Sequence, residues 1–219
     1  MNLAELGTFL HDCQQCRLAS GRTQVVFGTG NPQARIMFVG EAPGYYEDQQ
    51  GIPFVGAAGK LLTQLLESVG LSRSEIYIAN VIKCRPPNNR DPLPDEVETC
   101  KPYLLQQIQL IKPKLVCSLG NFATQTLLGK KVGITKVRGQ VFQLSDFVLF
   151  PLLHPAAALH QGNLQGPLRE DFQKLKQVLD EMAQAETETP ASSPVAPSPL
   201  HSQSSIPSPP PAQMDLFES

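Results

Sequence analysis

Short apolar runs alternate along the chain with longer stretches in which apolar positions recur every three or four residues. Four runs read as strands buried on both faces: Ile36 to Val39, Ile76 to Ala79, Leu115 to Leu119 and Val148 to Pro151. The intervals read as helices: Ala58 to Val69 closed by Gly70, Pro94 to Ile111 closed by Lys112-Pro113, Asn121 to Leu128 closed by Gly129, and Pro167 to Met182. This alternation predicts one doubly wound α/β domain around a central, mostly parallel four-stranded sheet. Each strand runs into a polar or Gly-rich sequence: Gly40-Glu41-Ala42-Pro43-Gly44, Asn80 followed by Val81-Ile82-Lys83-Cys84, Gly120-Asn121, and His154-Pro155-Ala156-Ala157-Ala158-Leu159. Ligands of open α/β sheets bind beyond the carboxyl ends of the strands, so these four loops are expected to converge on one site.

Composition divides the chain. Of its 219 residues 41% are hydrophobic, enough for a core, but between Thr187 and Ala212 15 of 26 residues are Pro or Ser. The expected organisation is a folded domain over residues 1–185, its last helix ending near Met182, a disordered Pro/Ser-rich linker over 186–212 and a short peptide over 213–219. The net charge of −2 argues at first against a nucleic-acid partner. The tail, however, holds Glu186, Glu188, Asp215 and Glu218 with no Lys or Arg, so residues 1–185 carry a balance of +2. That balance permits a local basic groove. The N-terminus has no basic stretch followed by an apolar run, and no segment approaches the roughly 20 apolar residues of a membrane span. A cytoplasmic monomer without membrane contact is expected. No Gly-x-x-x-x-Gly-Lys-Ser/Thr sequence is present, which sets aside a phosphate-binding nucleotide hydrolase.

Five cysteines are too few for a disulfide scaffold in such a compartment. Cys13 and Cys16 form a C-x-x-C pair, and Cys84 and Cys100 flank a Pro-rich polar segment, so four thiolates can make one site that clips the N-terminus to the domain. Thiolate softness suits zinc or a [4Fe–4S] cluster, and the spacing does not choose between them. Cys117, inside Leu115-Val116-Cys117-Ser118-Leu119, is expected to pack in the core.

Four features together resemble the iron-sulfur, or family 4, uracil-DNA glycosylases: Gly40-Glu41-Ala42-Pro43-Gly44, Gly51-Ile52-Pro53-Phe54-Val55-Gly56, the four cysteines, and His154-Pro155-Ala156-Ala157-Ala158-Leu159. They cover roughly residues 10 to 182. The resemblance implies a [4Fe–4S] cluster on Cys13, Cys16, Cys84 and Cys100, and an enzyme of base excision repair that flips uracil from single- or double-stranded DNA. The better-known uracil glycosylases carry a water-orienting Asp and a thymine-blocking Tyr in the first loop. The matching positions here are Ala42 and Gly44, and the resemblance suggests that Glu47 fills the space over Gly44.

The residues themselves suit this chemistry. Phe54 lies in a Gly/Pro loop with no regular core face to join, and its ring is a candidate to stack on the flipped base. Asn80 ends a strand with a donor and an acceptor that match uracil O4 and N3–H and mismatch cytosine. Gly40 and Ala42 complete the substrate-binding set. His154 is the candidate donor to the departing uracil at O2, and Glu41 the carboxylate that positions water or stabilises the cationic sugar, with Glu47 nearby. No lysine stands in the motifs, so hydrolysis without a Schiff base is expected. Leu159 is a candidate DNA wedge, and Arg85, Arg90, Lys60 and Arg138 are candidate phosphate contacts near the mouth. At the C-terminus, Gln213, Leu216 and Phe217 resemble the short peptides that dock bacterial DNA-processing proteins on the sliding clamp. A non-catalytic, metal-stapled DNA-binding module remains the alternative.

Overall fold

The computed structural model describes residues 1–188, with side chains to residue 185. The expected linker beyond that point and the peptide with Gln213, Leu216 and Phe217 lie outside the described residues. Six strands, β1 (Thr29–Gly30), β2 (Ile36–Gly40), β3 (Tyr77–Asn80), β4 (Leu115–Leu119), β5 (Phe142–Gln143) and β6 (Val148–Leu152), form one sheet in the order β1-β3-β2-β4-β6-β5. The four expected strands are its parallel centre. The sheet is six-stranded because two-residue strands pair antiparallel at each edge, and two residues are too short to leave a pattern in sequence.

Among the described residues eight α-helices accompany it: α1 (Leu3–His11), α2 (Tyr45–Gln50), α3 (Ala57–Ser68), α4 (Pro94–Ile111), α5 (Gly120–Leu128), α6 (Ile134–Val137), α7 (Pro155–His160) and α8 (Gln165–Glu188). Helix α8 continues six residues past Met182 and three residues into the expected linker. α1, which the strand-and-helix pattern did not include, is closed at its start by reciprocal bonds between Asn2 and Glu5, each 2.9 Å, and buries Leu6 and Leu10.

Strand periodicity builds two cores. Ile36, Phe38, Ile78, Cys117 and Phe150 point to one face, where Leu62, Leu66 and Phe172 of α3 and α8 cover them. Their neighbours Met37, Val39, Tyr77, Val116 and Leu149 point to the other, against Leu104 and Ile108 of α4 and Ala123 of α5. Cys117 is fully buried, as expected, and burial pushes its thiol up. The order of the central strands reverses between β2 and β4, so the crevice beyond their carboxyl ends is where the topology opens a site. Among the described residues no helix is long and apolar enough to cross a membrane.

One contact ties the fold to that crevice. Gly59, in the first turn of α3, lies so close to the loop before it that a Cβ there would fall 1.8 Å from the carbonyl oxygen of Phe54. An exposed helical Gly→Ala change stabilises by roughly 0.5–1 kcal/mol. Gly59→Ala is expected to do the opposite, lowering stability by about 1–3 kcal/mol through overpacking, read as a lower urea midpoint.

Candidate active site

The pocket opens beyond the ends of β2, β3 and β6. It encloses about 370 Å³ and is lined by Glu41, Ala42, Gly44, Glu47, Phe54, Asn80, Pro86, Asn89, Arg90 and His154, among others. Three of the four expected loops line it. The fourth contributes through Gly120, whose own Cβ would lie 3.0 Å from His154 Cβ, while Asn121 turns away to accept from Ile134 N at 3.1 Å.

Gly40 is not a lining residue, yet it makes the site possible. A Cβ there would meet Asn80 Oδ1 at 2.4 Å and the Phe54 ring at 2.7 Å. The missing side chain lets an aromatic face and an amide close over the end of β2. Phe54 holds a left-handed backbone at φ 55°, which a non-glycine residue keeps only when its surroundings enforce it. Two clamps do so. Glu47 Oε1 accepts from Val55 N and Gly56 N, both at 3.0 Å, and Arg73 donates to the carbonyls of Pro53 at 3.0 Å and Phe54 at 3.1 Å. Glu47 Oε2 faces the space over Gly44, 2.8 Å from where a Cβ would stand. Arg73 was not a sequence candidate: it sits 19 residues beyond Phe54, and nothing local links the two.

Asn80 is 2% exposed, and its Oδ1 has no hydrogen-bond partner among the described residues. Leaving such an acceptor unpaired costs about 1–3 kcal/mol, so Oδ1 is available to a donor that enters the pocket. The backbone carbonyl of Asn80 accepts from Lys83 Nζ at 2.7 Å. Lys83 is buried, also donates to Gln107 at 2.5 Å, and is drawn down to about 8 by burial.

His154 caps α7. Its Nδ1 accepts from Ala156 N at 3.1 Å, which puts the ring proton on Nε2, the nitrogen left for the pocket. Burial lowers its pKa to about 4 against the opposing charge of Glu47, so at neutral pH it is a neutral donor. Its ring centroid lies 5.7 Å from that of Phe54. The loop bearing His154 is anchored from behind: Leu153 N donates to Asp171 at 3.2 Å, and Arg138 Nε stands 2.9 and 3.0 Å from the two oxygens of that carboxylate.

Glu41 begins the loop after β2. Burial, reinforced by the negative charge of Asp91, raises its pKa to about 7. A carboxylate poised near neutrality can accept a proton from water at physiological pH. Asn89, also missed in the sequence, lines the pocket from the facing loop, with its Oδ1 accepting from Arg85 Nε at 2.7 Å.

The proposed phosphate contacts divide. Arg138 is committed to Asp171 and to Pro167 O, and Arg90 grips the fully buried Glu96 with bonds of 2.6 and 2.9 Å. Both therefore serve the fold, because a buried carboxylate needs its cation. Lys60 is exposed but lines a neighbouring groove beside Arg73. Arg85 does not line the pocket and reaches it only through its bond to Asn89. Leu159 is 46% exposed on α7 next to the pocket-lining His160.

Cys13, Cys16, Cys84 and Cys100 are free thiols, with Cys84 buried and the other three half-buried. Cys84 feels the charges of Cys100 and Cys16, and Cys100 those of Cys16 and Cys13, so the four share one neighbourhood. Arg22 Nη1 lies 3.7 Å from Cys84 Sγ, and Lys83 N donates to Cys100 Sγ at 3.3 Å. These donors and cations suit a centre of net negative charge. Among the described residues no three Cys, His, Asp or Glu are gathered to hold a single ion.

Residues 27–181, which take in every strand and the pocket, match the profile of the Uracil DNA glycosylase superfamily, and the chain belongs to it. Within that superfamily the chain is similar to proteins named Type-4 uracil-DNA glycosylase. The one from Sulfurisphaera tokodaii is 49% identical over 76% of this chain and 80% of that protein. The one from Thermotoga maritima is 47% identical over 75% and 88%, and the one from Archaeoglobus fulgidus 46% identical over 74% and 86%.

The raised pKa of Glu41 has a stability consequence. Between its ordinary 4.5 and about 7 the folded state holds the proton more tightly than the unfolded state, so ionising Glu41 destabilises the fold as pH rises through that window. Glu41→Gln is expected to raise the urea midpoint at pH 8 and to leave it nearly unchanged at pH 4.5.

Proposed function

We propose that the chain flips uracil out of DNA and hydrolyses its N-glycosidic bond, leaving an abasic site, as a monofunctional glycosylase of base excision repair. The observation that carries this reading is the unpartnered Asn80 Oδ1, buried at the floor of a pocket walled by Phe54 and capped by the neutral His154.

The flipped base stacks on Phe54. Asn80 accepts from N3–H and donates to O4, and cytosine, which reverses that pattern, leaves both groups unpaired. As the bond from N1 to C1′ breaks, its electron pair passes into the uracil ring and His154 Nε2–H donates to O2. The oxygen of water bonds to C1′ and its proton passes to Glu41, whose charge also favours the cationic sugar. Glu47, over Gly44, occupies the space that the methyl of thymine would need. No lysine lines the pocket among the described residues, and Lys83 Nζ is already committed, which favours water over an amine nucleophile.

Cys13, Cys16, Cys84 and Cys100 fit a [4Fe–4S] cluster in donor type, number and surrounding positive charge. Such a cluster would supply a redox-capable centre and staple residues 13–16 to 84–100. We further propose a cytoplasmic monomer, a reading in keeping with thiols kept for a metal centre rather than for disulfides. The terminal peptide with Gln213, Leu216 and Phe217 is proposed to dock on a sliding clamp, and Leu159 to fill the gap left by the flipped base.

Release of free uracil from an oligonucleotide with one deoxyuridine tests the catalytic reading. Wild type should release uracil and spare thymine and cytosine controls, and His154→Ala should lower kcat by about 100- to 1,000-fold, as loss of one aimed donor does. Binding without release by wild type would leave a DNA-binding module instead. The rate should rise with pH through an apparent pKa near 7, the value to which burial lifts Glu41. Asp91→Asn removes the neighbouring charge and should shift that limb to lower pH. Glu47→Ala should admit thymine, and continued refusal would remove Glu47 from that role. Anaerobically purified protein should show a broad visible absorbance that bleaches on reduction, whereas a colourless zinc protein would overturn the cluster.

A further inference from the structure

A base held in the pocket fixes where its neighbours lie, because the chain on either side of a flipped nucleotide must cross the rim. On the side of Gly44 and Glu47 the rim is α2, and it exposes two aromatic rings that no core uses: Tyr45 at 52% and Tyr46 at 60%. The rings meet edge to face, with centroids 5.5 Å apart at 80°. The guanidinium of Arg85 lies over the Tyr45 ring, 5.1 Å from its centroid, and its Nε is held by Asn89, which lines the pocket. The platform is thus tied to the pocket wall and continuous with its mouth. Adjacent exposed aromatics with a cation beside them are the arrangement on which unpaired nucleobases stack, since every base has a π-face.

We propose that Tyr45, Tyr46 and Arg85 form a stacking platform for a nucleobase adjacent to the uracil, one that the flip has deprived of its neighbour in the stack. The inference rests on the reading of the pocket as a site for flipped uracil. The platform takes the base itself, so its contribution disappears when that base is absent, whereas a contact to phosphate alone would not notice the loss. It lies outside the reacting centre and acts on substrate binding.

The test uses single-stranded oligonucleotides with one deoxyuridine, in which the 5′ or the 3′ neighbour is replaced by a baseless tetrahydrofuran residue. Uracil release by wild type from the intact strand is read first, and its absence would overturn the glycosylase reading and the platform with it. Given release, one of the two baseless substrates should show a KM raised about tenfold with kcat little changed, within the range expected for one lost stacked base. Tyr45→Ala should raise KM on the intact strand to the same degree and be indifferent to the missing base. Tyr45→Phe, which keeps the ring, should behave as wild type. Unchanged KM in both Tyr45→Ala and Tyr46→Ala, or a variant still penalised by the missing base, would overturn the platform.

Discussion

At residue 40 the chain has no side chain, and the room this leaves is taken by the Phe54 ring and the Asn80 amide, both closer than a Cβ would allow. The end of β2 is therefore where an aromatic ring and a side-chain amide come together at the pocket. The other features of the site are arranged to keep that meeting in place. Phe54 sits in a left-handed conformation that its loop would not hold unaided. Glu47 grips the amides that follow it, Arg73 grips the carbonyls at and before it, and Gly59 lets α3 press against it. Backbone strain is held by a carboxylate on one side and a guanidinium on the other.

Burial sets the charges in the pocket. The same removal from water lowers His154 to a neutral donor and lifts Glu41 to the edge of ionisation at neutral pH. Opposite shifts on two groups in one cavity leave one a neutral imidazole and the other a carboxyl close to half-ionised at neutral pH. The tautomer of His154 is decided by a backbone amide at the start of α7 rather than by a second side chain. Its position is decided farther back, by the Asp171–Arg138 pair on which Leu153 hangs.

The facing wall depends on the segment from Lys83 to Pro94. Lys83 ties the Asn80 carbonyl to Gln107, its neighbour Cys84 belongs to the thiol group, and Arg90 with Glu96 fixes the end of the loop onto α4. Asn89 and Asp91 are carried between these anchors. This gives the four cysteines a mechanical bearing on the pocket, since the loop that holds Asn89 and Asp91 runs between two of them.

The sequence by itself determined the parallel centre of the sheet, because strands buried on both faces are continuous apolar runs. It also determined the strand ends as the site, because Gly40, Glu41, Asn80 and His154 interrupt those runs with residues no core would choose. Phe54 was legible for the same reason, as an aromatic in a loop without a core face. The antiparallel edges were hidden by their length, and α1 by its position before the first strand. Sequence put Arg90 and Arg138 near the mouth without revealing the buried carboxylates, Glu96 and Asp171, with which they pair. Arg73 and Asp91 were invisible for a related reason: Arg73 acts on a residue distant in the chain and Asp91 through a charge felt by Glu41, while Asn89 reads in sequence as one more polar loop residue. Only the tertiary structure decided which polar groups are paired and which are left facing the pocket, since pairing and burial depend on who the neighbours are in space.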